Sequence, residues 1–486
     1  MRYGLVSRTR TIETRLDNDS ELVRYLECNI SVYSSIKRRM FHYMKNKDFI
    51  SQFSQSSYFL SWCLNEFQIH SRAINSLYHE IDGEMKAYMI LKKTELSQFE
   101  NKLNTLEKQK EKLKQEIVDL RKLASENKLT PKQLQRYRNK KKSYYWKCNK
   151  INKIHNMISK LKYIIENNVY SICFGTKALF NKQNRLKENN YNSHYCWYED
   201  FVKARDKYMF FSGAKSERLG NLLFDISYND GADSFNIRFR KLNVKKYKVA
   251  RLDNNDAFVT YSGLKFKYGG KQLAEILKKH IQVEKGKQGI SYRFIRRNDK
   301  WYLQLIFEDK FESANYETLD SFGVIGLDYN DRFIQSAETD CSGNLVNLQR
   351  FDLKFHGTGN KAKTEIEQVL NKIVKIAKKS GKDIVIEDLN FKKTKACQVK
   401  AKRRKGKNYN RMIHLFDYSR YKQKLKDICF NNKVNLHFVN PKNTSKIGGQ
   451  KFAKRMKLSI HQSASFVIAR RYQGFKDKYK KQQKFA

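Results

Sequence analysis

Two carboxylates in this chain stand where apolar strands give out. Asp328 closes the run GVIGLDYN at 323–330, and Glu387 closes DIVIEDL at 383–389. An acid at the end of a buried strand faces a cleft when the adjoining chain folds away. Two such acids on neighbouring strands can hold divalent cations; a pair of ions about 4 Å apart activates a water and stabilises the leaving oxygen of a phosphodiester. Taken singly, each acid reads more simply as a strand cap or a partner for one of the many lysines. The two together, at this spacing of elements, favour a metal site. His461 is the third candidate for both catalysis and metal ligation. Ser459 and Gln462 have the spacing of a capping box, which puts His461 in the first turn of the last helix. The helix dipole there disfavours an imidazolium and keeps the ring neutral, as a metal ligand must be. A lone histidine in a helix is more often structural. Asp388, beside Glu387, should point to the opposite face of its strand.

The run VKAKRRKGKNYNR offers a second kind of chemistry. Lys400, Lys402, Arg403, Arg404, Lys405, Lys407 and Arg411 lie between the Glu387 strand and the next helix, around a Gly406 break. Such a run is either a solvated charge cluster or a loop that orders on phosphates, and its place beside the proposed cleft favours the second. Arg470 and Arg471 read equally as phosphate ligands or as a cation pair at a helix C-terminus. Tyr144, Tyr145 and Trp146 could stack on bases, but their helical spacing favours packing.

The elements that must position these residues follow from apolar periodicity. A first strand falls within 1–18, and from Glu21 to about Lys92 the spacing is helical. A heptad then runs through Leu96, Phe99, Leu103, Leu106, Leu113, Ile117 and Leu120, interrupted only by Lys110. Thr130-Pro131 starts the next helix as N-cap and N1. The spacing predicts an antiparallel helical hairpin over 92–166, with a coiled-coil dimer as the other reading. Period-two patterns around Asn-Asp-Gly at 229–231 and around Arg297-Asn298-Asp299 predict antiparallel strands over 220–315. From 320 to 486 the order βββαβαβα is that of a ribonuclease H-like fold.

Composition narrows the partners. The chain has 486 residues and a formal charge of +50, from 99 Lys and Arg against 49 Asp and Glu. A polyanion is needed to offset that self-repulsion, so nucleic acid is the expected partner. Aromatic residues make up 13%, which argues against a disordered polycation. No apolar run approaches a membrane span and no signal peptide is evident, so the expectation is a soluble cytoplasmic protein. Eight scattered cysteines with no Cys-x-x-Cys pair predict free thiols and no zinc.

GVIGLDYN resembles the first RuvC motif of TnpB nucleases and type V CRISPR effectors, and DIVIEDLNF resembles the second. HLFDYSRYKQKLKDICFNNKVNLHFVNPKNTS is similar to the segment that follows in that family, and IHQSASFVIARR takes the place of the third motif. SICFGTKALF and ENNYNSHYCWYEDFVKARD resemble a Firmicutes-type branch of TnpB-related proteins. The similarity spans most of 170–475. It implies an α+β multidomain chain: a wedge-like β-barrel domain from 1–18 and 220–315, with a helical recognition region inserted at 19–219. A RuvC-like nuclease domain at 320–486 completes it. It further implies an RNA-guided DNA endonuclease of the bacterial cytoplasm that uses Mg²⁺, with Asp328 and Glu387 as metal ligands and catalytic acids. Guide RNA and a double-stranded DNA target with a short adjacent motif are the implied partners, whether the chain is a monomer or a homodimer. Two departures stand out. His461 occupies the place of the family's third catalytic Asp, which points toward Mn²⁺ or toward a nuclease-dead, RNA-guided DNA-binding repressor. The zinc-ribbon region, about 392–457, is degenerate and cysteine-free. A transposase joining DNA ends is a third reading.

Overall fold

The computed structural model describes residues 5–125, 130–242, 258–282, 288–312, 315–330, 332–355, 359–389 and 418–478. They form a mixed α/β chain that divides into two compact units, one of residues 7–100 and 110–310, the other chiefly of residues 311 onward. The basic run at 400–411 and the first part of the degenerate ribbon region, 392–417, lie outside the described residues. No helix among those described is long and apolar enough to cross a membrane.

The first unit is built from strands and helices that share one core. Strands β1 (Leu5–Arg15), β7 (Lys300–Glu312), β6 (Ser291–Arg297) and β2 (Tyr208–Phe211) make a four-stranded sheet in that order. Strands β3 (Phe224–Asn229), β4 (Ser234–Arg240) and β5 (Phe258–Leu264) make a second sheet. Inward-facing aromatics bind the two sheets: Phe224 stacks on Tyr292 at 3.9 Å and on Phe239 at 4.6 Å between centroids. Helices α1 (Glu21–Lys45) and α2 (Ser56–Phe67) bury Leu22, Leu26, Met40, Phe59 and Phe67 in the same core. Thus β2, at 208–211, lies within 19–219, the stretch that the resemblance implies to be a helical region, and helical and β segments share a single core.

Helix α3 (Ser71–Ser125) runs for 55 residues without a break, so the heptad is its distal part rather than a separate helix. Along the seam Leu106 is buried, while the other heptad residues are half-buried. Helix α4 (Pro131–Glu166) starts at the N-cap Thr130, with Pro131 in its first turn and a complete capping box to Gln133. Lys140 of α4 pairs with Glu116 of α3, as an antiparallel hairpin requires. Helices α5 (His194–Arg205) and α6 (Gly270–Gln282) complete the unit.

In the second unit, β8 (Val324–Tyr329), β9 (Phe333–Thr339), β10 (Leu345–Asp352), β11 (Asp383–Glu387) and β12 (Leu436–Val439) form one sheet in the order β10-β9-β8-β11-β12. β8 is antiparallel to β9 and parallel to β11, which is parallel to β12. Alternation along the strands divides the two faces. Ile325, Leu327, Ile384 and Ile386 pack on α7 (Asn360–Ser380) and α8 (Tyr418–Asn431), where Leu370, Ile373 and Leu425 are fully buried or nearly so. Each such side chain contributes about 2 kcal/mol of burial. Val324 and Val385 face the other way, onto α9 (Ile460–Tyr472). Gly326 also faces α9, and a Cβ there would lie 2.3 Å from the Ser465 carbonyl oxygen. Glycine is therefore required for the helix to sit this close to the sheet.

Candidate nuclease site

Asp328 and Glu387 fall on the α9 face by that same alternation, at the C-terminal ends of adjacent parallel strands. Leu327 is level with Ile386 in the ladder, so the two acids occupy the next, neighbouring positions. Asp328 is 13% exposed; its Oδ2 accepts a hydrogen bond of 3.0 Å from Asn330 Nδ2 and lies 3.0 Å from His461 Nδ1. Ser459 caps α9, and the capping box to Gln462 is complete, which fixes His461 in the first turn. Such a cap contributes about 1 kcal/mol to the helix end. The His461 ring lies edge-on to Phe333 at 5.0 Å.

The structure adds an influence on His461 that runs against the helix dipole. Its hydrogen bond to Asp328 raises its pKa, against opposing desolvation, and the Asp328 charge adds to the increase. A carboxylate at hydrogen-bond distance outweighs a helix dipole whose effect in the first turn is about 1 kcal/mol or less.

Glu387 is held differently. Thr444, at the start of the short helix Thr444–Gly448, donates its hydroxyl to Glu387 Oε1 at 2.5 Å. Tyr418 donates to the Glu387 carbonyl oxygen. Burial pushes the Glu387 carboxyl up to about 7; the Thr444 bond opposes this, the Asp328 charge adds to it and Arg471 opposes it. A half-charged buried acid next to a second acid is an arrangement that a cation would relieve. The two carboxylates supply the hard oxygen donors that Mg²⁺ or Mn²⁺ takes, and in that respect the site fits a divalent ion. Among the described residues, however, no three His, Cys, Asp or Glu side chains converge as a metal cluster. His461 is turned onto Asp328, and Glu387 onto Thr444.

The remaining sequence candidates are placed as follows. Asp388 is exposed on the opposite side from Glu387 and pairs with Lys422 of α8 at 2.5 Å. Arg470 binds Asp477 at 3.0 Å and the Gly343 carbonyl at 2.8 Å, and lies 3.9 Å from the centroid of the Phe475 ring. Arg471 donates to the carbonyls of Asn440 and Lys442, the latter at 3.0 Å. Both guanidinium groups are engaged with groups of the chain itself. Lys400, Lys402, Arg403, Arg404, Lys405, Lys407 and Arg411 lie outside the described residues. Thr444, Tyr418 and the brace from Arg471 were not singled out from sequence. The Asn-Pro-Lys-Asn-Thr turn was visible, but nothing local in it points at a residue 57 positions away.

No protein-family model matches the chain, and no curated protein matches its sequence. Among solved structures, it overlaps a Cas12f1–sgRNA–target DNA complex over 65% of its own length and 90% of that chain, at 10% identity and a TM-score of 0.22. A Cas12i1 R-loop complex before target DNA cleavage overlaps 82% of this chain and 47% of its own, at 10% identity and a TM-score of 0.20. A Cas12i1–crRNA binary complex overlaps 76% of this chain and 40% of its own, at 11% identity and a TM-score of 0.18. These are type V CRISPR effectors; at such scores the overlaps carry no argument of their own.

Proposed function

We propose that this chain is an RNA-guided DNA endonuclease of the TnpB and type V effector kind, with a RuvC-like site at Asp328, Glu387 and His461. The observation that carries the reading is the placement of Asp328 and Glu387 at adjacent strand ends, on one face of a sheet ordered β10-β9-β8-β11-β12. That order, with three antiparallel strands followed by two parallel ones, supports a ribonuclease H-like domain. In it, strand-end acids line the cleft beside the last helix.

Asp328 and Glu387 would hold Mg²⁺ or Mn²⁺, which supplies an activated water and stabilises the leaving oxygen of the scissile phosphate. The chain's own groups prepare the site. Asn330 orients the Asp328 carboxylate, and Thr444 aims that of Glu387. Arg471 ties down the turn that carries Thr444. The charge of +50 draws in guide RNA and target DNA. Recognition of sequence would then fall to guide pairing, with the protein holding the heteroduplex by shape and backbone.

The test is to purify the chain with its co-bound RNA, sequence that RNA, and present matched double-stranded DNA with Mg²⁺ or Mn²⁺. Guide-dependent cuts, lost in Asp328→Ala and Glu387→Gln while RNA stays bound, are the expected result. A Glu387→Gln protein that still cuts would remove the metal assignment.

One observation favours a second reading, the nuclease-dead RNA-guided repressor. His461 faces Asp328 directly where the family carries an acid, and no three-ligand cluster forms among the described residues. Tight, guide-dependent binding without cuts in either metal would establish it.

A further inference from the structure

The long helix α4 carries a surface that the nuclease site does not use. Its 36 residues contain eleven Lys and Arg and a single acid, Glu166, a balance of +10 (11 − 1). Helix α3, across the hairpin, holds eleven cations and nine acids over its 55 residues, a balance of +2 (11 − 9). The positive charge of the hairpin is therefore concentrated on one of its two helices.

The orientation of α4 follows from what it buries. Ile151, Ile154, Ile158 and Leu161 are buried, and Lys140 turns to Glu116. At about 3.6 residues per turn, Arg138, Lys142, Lys153 and Lys160 fall on the opposite side and line up along the helix for about 33 Å. All four are exposed, and none forms an ion pair among the described residues. Between them stand Tyr145, 64% exposed, and Trp146, 57% exposed, whereas Trp197 and Trp301 are only 3% and 0% exposed. Lys150 Nζ stands 4.4 Å from the centroid of the Trp146 ring, which steadies the indole. Tyr163, further along the same side, is 61% exposed. Sequence spacing favoured packing for the 144–146 aromatics; Tyr144 is half-buried, and its two neighbours are turned outward.

We propose that this outer face of α4 binds an unpaired stretch of a folded RNA, with Tyr145 and Trp146 stacking on bases and the four cations taking phosphates. A row of exposed cations interleaved with exposed aromatics matches a strand that offers both charge and ring faces. A second copy of the chain does not fit, because two such faces repel. A lipid surface does not fit either, because the aliphatic side of α4 is already buried. Duplex DNA hides its base faces, whereas unpaired bases beside a backbone are a regular feature of folded RNA. The choice of RNA also rests on the guide-RNA reading above.

The experiment uses the full chain and a fluorescein-labelled RNA about 20 nucleotides long, of mixed sequence and without self-pairing, the matching DNA strand serving as comparison. Anisotropy titrations at several salt concentrations compare wild type, Tyr145→Ala/Trp146→Ala, Arg138→Gln/Lys142→Gln/Lys153→Gln/Lys160→Gln and Trp146→Phe, with helicity checked by circular dichroism. The double alanine variant should bind the RNA about fivefold more weakly or worse. The glutamine variant should flatten the slope of log K against log salt by about 0.7 for each phosphate it no longer neutralises. Trp146→Phe should keep the affinity but lose the quenching of tryptophan emission on RNA addition. Wild-type affinity and slope in both multiple variants would overturn the surface while leaving the guide-RNA reading intact. Tighter binding to the DNA strand would overturn the choice of RNA. A wild-type chain that binds no RNA would overturn both this surface and the guide-RNA reading.

Discussion

Replacing Glu387 by Gln should make the chain more stable, by an amount that grows with pH. In the fold this carboxyl titrates near 7 rather than at the ordinary 4.5, chiefly because it is buried. An acid whose pKa is raised on folding stabilises the fold fully below its unfolded value, and that contribution is lost as pH rises through the folded one. The gap of about 2.5 pH units, at ~1.36 kcal/mol each, amounts to about 3 kcal/mol lost above pH 7. Gln mimics the protonated acid, still accepts from the Thr444 hydroxyl and never ionises. The advantage of Glu387→Gln over wild type should therefore be about 1 kcal/mol near pH 5 and about 3 kcal/mol near pH 8, measured without divalent ions. Hydrogen exchange of peptides covering β11 reports it locally, which avoids treating a chain of two units as a single transition. Millimolar Mg²⁺ or Mn²⁺ should raise wild-type protection at pH 8 and leave the variant unchanged, a readout independent of cutting. A pH-independent difference, or a variant less stable than wild type at pH 8, would refute the account of Glu387 as a buried, half-charged acid beside Asp328.

Thr444→Val removes the hydroxyl that aims Glu387. With a bond to a charged group worth about 2 kcal/mol, DNA cutting should fall by a factor of ten or more, and Thr444→Ser should restore it. His461→Asp should shift any cutting activity toward Mg²⁺ over Mn²⁺, read from initial rates across metal concentrations, because it replaces a nitrogen donor with the oxygen donor that Mg²⁺ takes. Arg471→Ala frees the Asn440 and Lys442 carbonyls, and limited proteolysis should then cut the 440–445 turn faster while RNA binding stays as in wild type. Gly326→Ala drives a methyl into the Ser465 carbonyl, and hydrogen exchange of peptides covering β8 and α9 should show a loss of protection of about 3 kcal/mol or more.

Much of the candidate site was legible because strand ends and helix caps are local. The apolar run before Asp328 is observed as β8, and the Ser459–Gln462 capping box is observed at the head of α9. What escaped depends on contacts between distant residues. His461 and Asp328 are 133 positions apart, so the helix dipole was the only influence on the imidazole that sequence could supply. The direct carboxylate contact reverses its sign. β2 escaped because Tyr208–Phe211 is four residues long and apolar throughout, without the alternation that marks a strand. The Asp477 partner of Arg470 escaped because it lies beyond the helix end, in a segment without periodicity. For Tyr145 and Trp146, helical spacing identified the helix but not its rotation; that is set by the buried side of Ile151, Ile154, Ile158 and Leu161.

Gly326 lies two residues before Asp328, and the atom its absent methyl would strike belongs to Ser465, four residues after His461. The gap between first and third site residues is thus gauged by a backbone contact rather than by either side chain. Position 461 is half-exposed, so exchanging one polar group for another there alters what faces Asp328 without moving the frame. Position 326 has no such latitude, since any side chain would pry helix and sheet apart and retune every donor together. A single substitution at 461 can accordingly change the group that faces Asp328, while the spacing of helix and sheet set at Gly326 stays as it is.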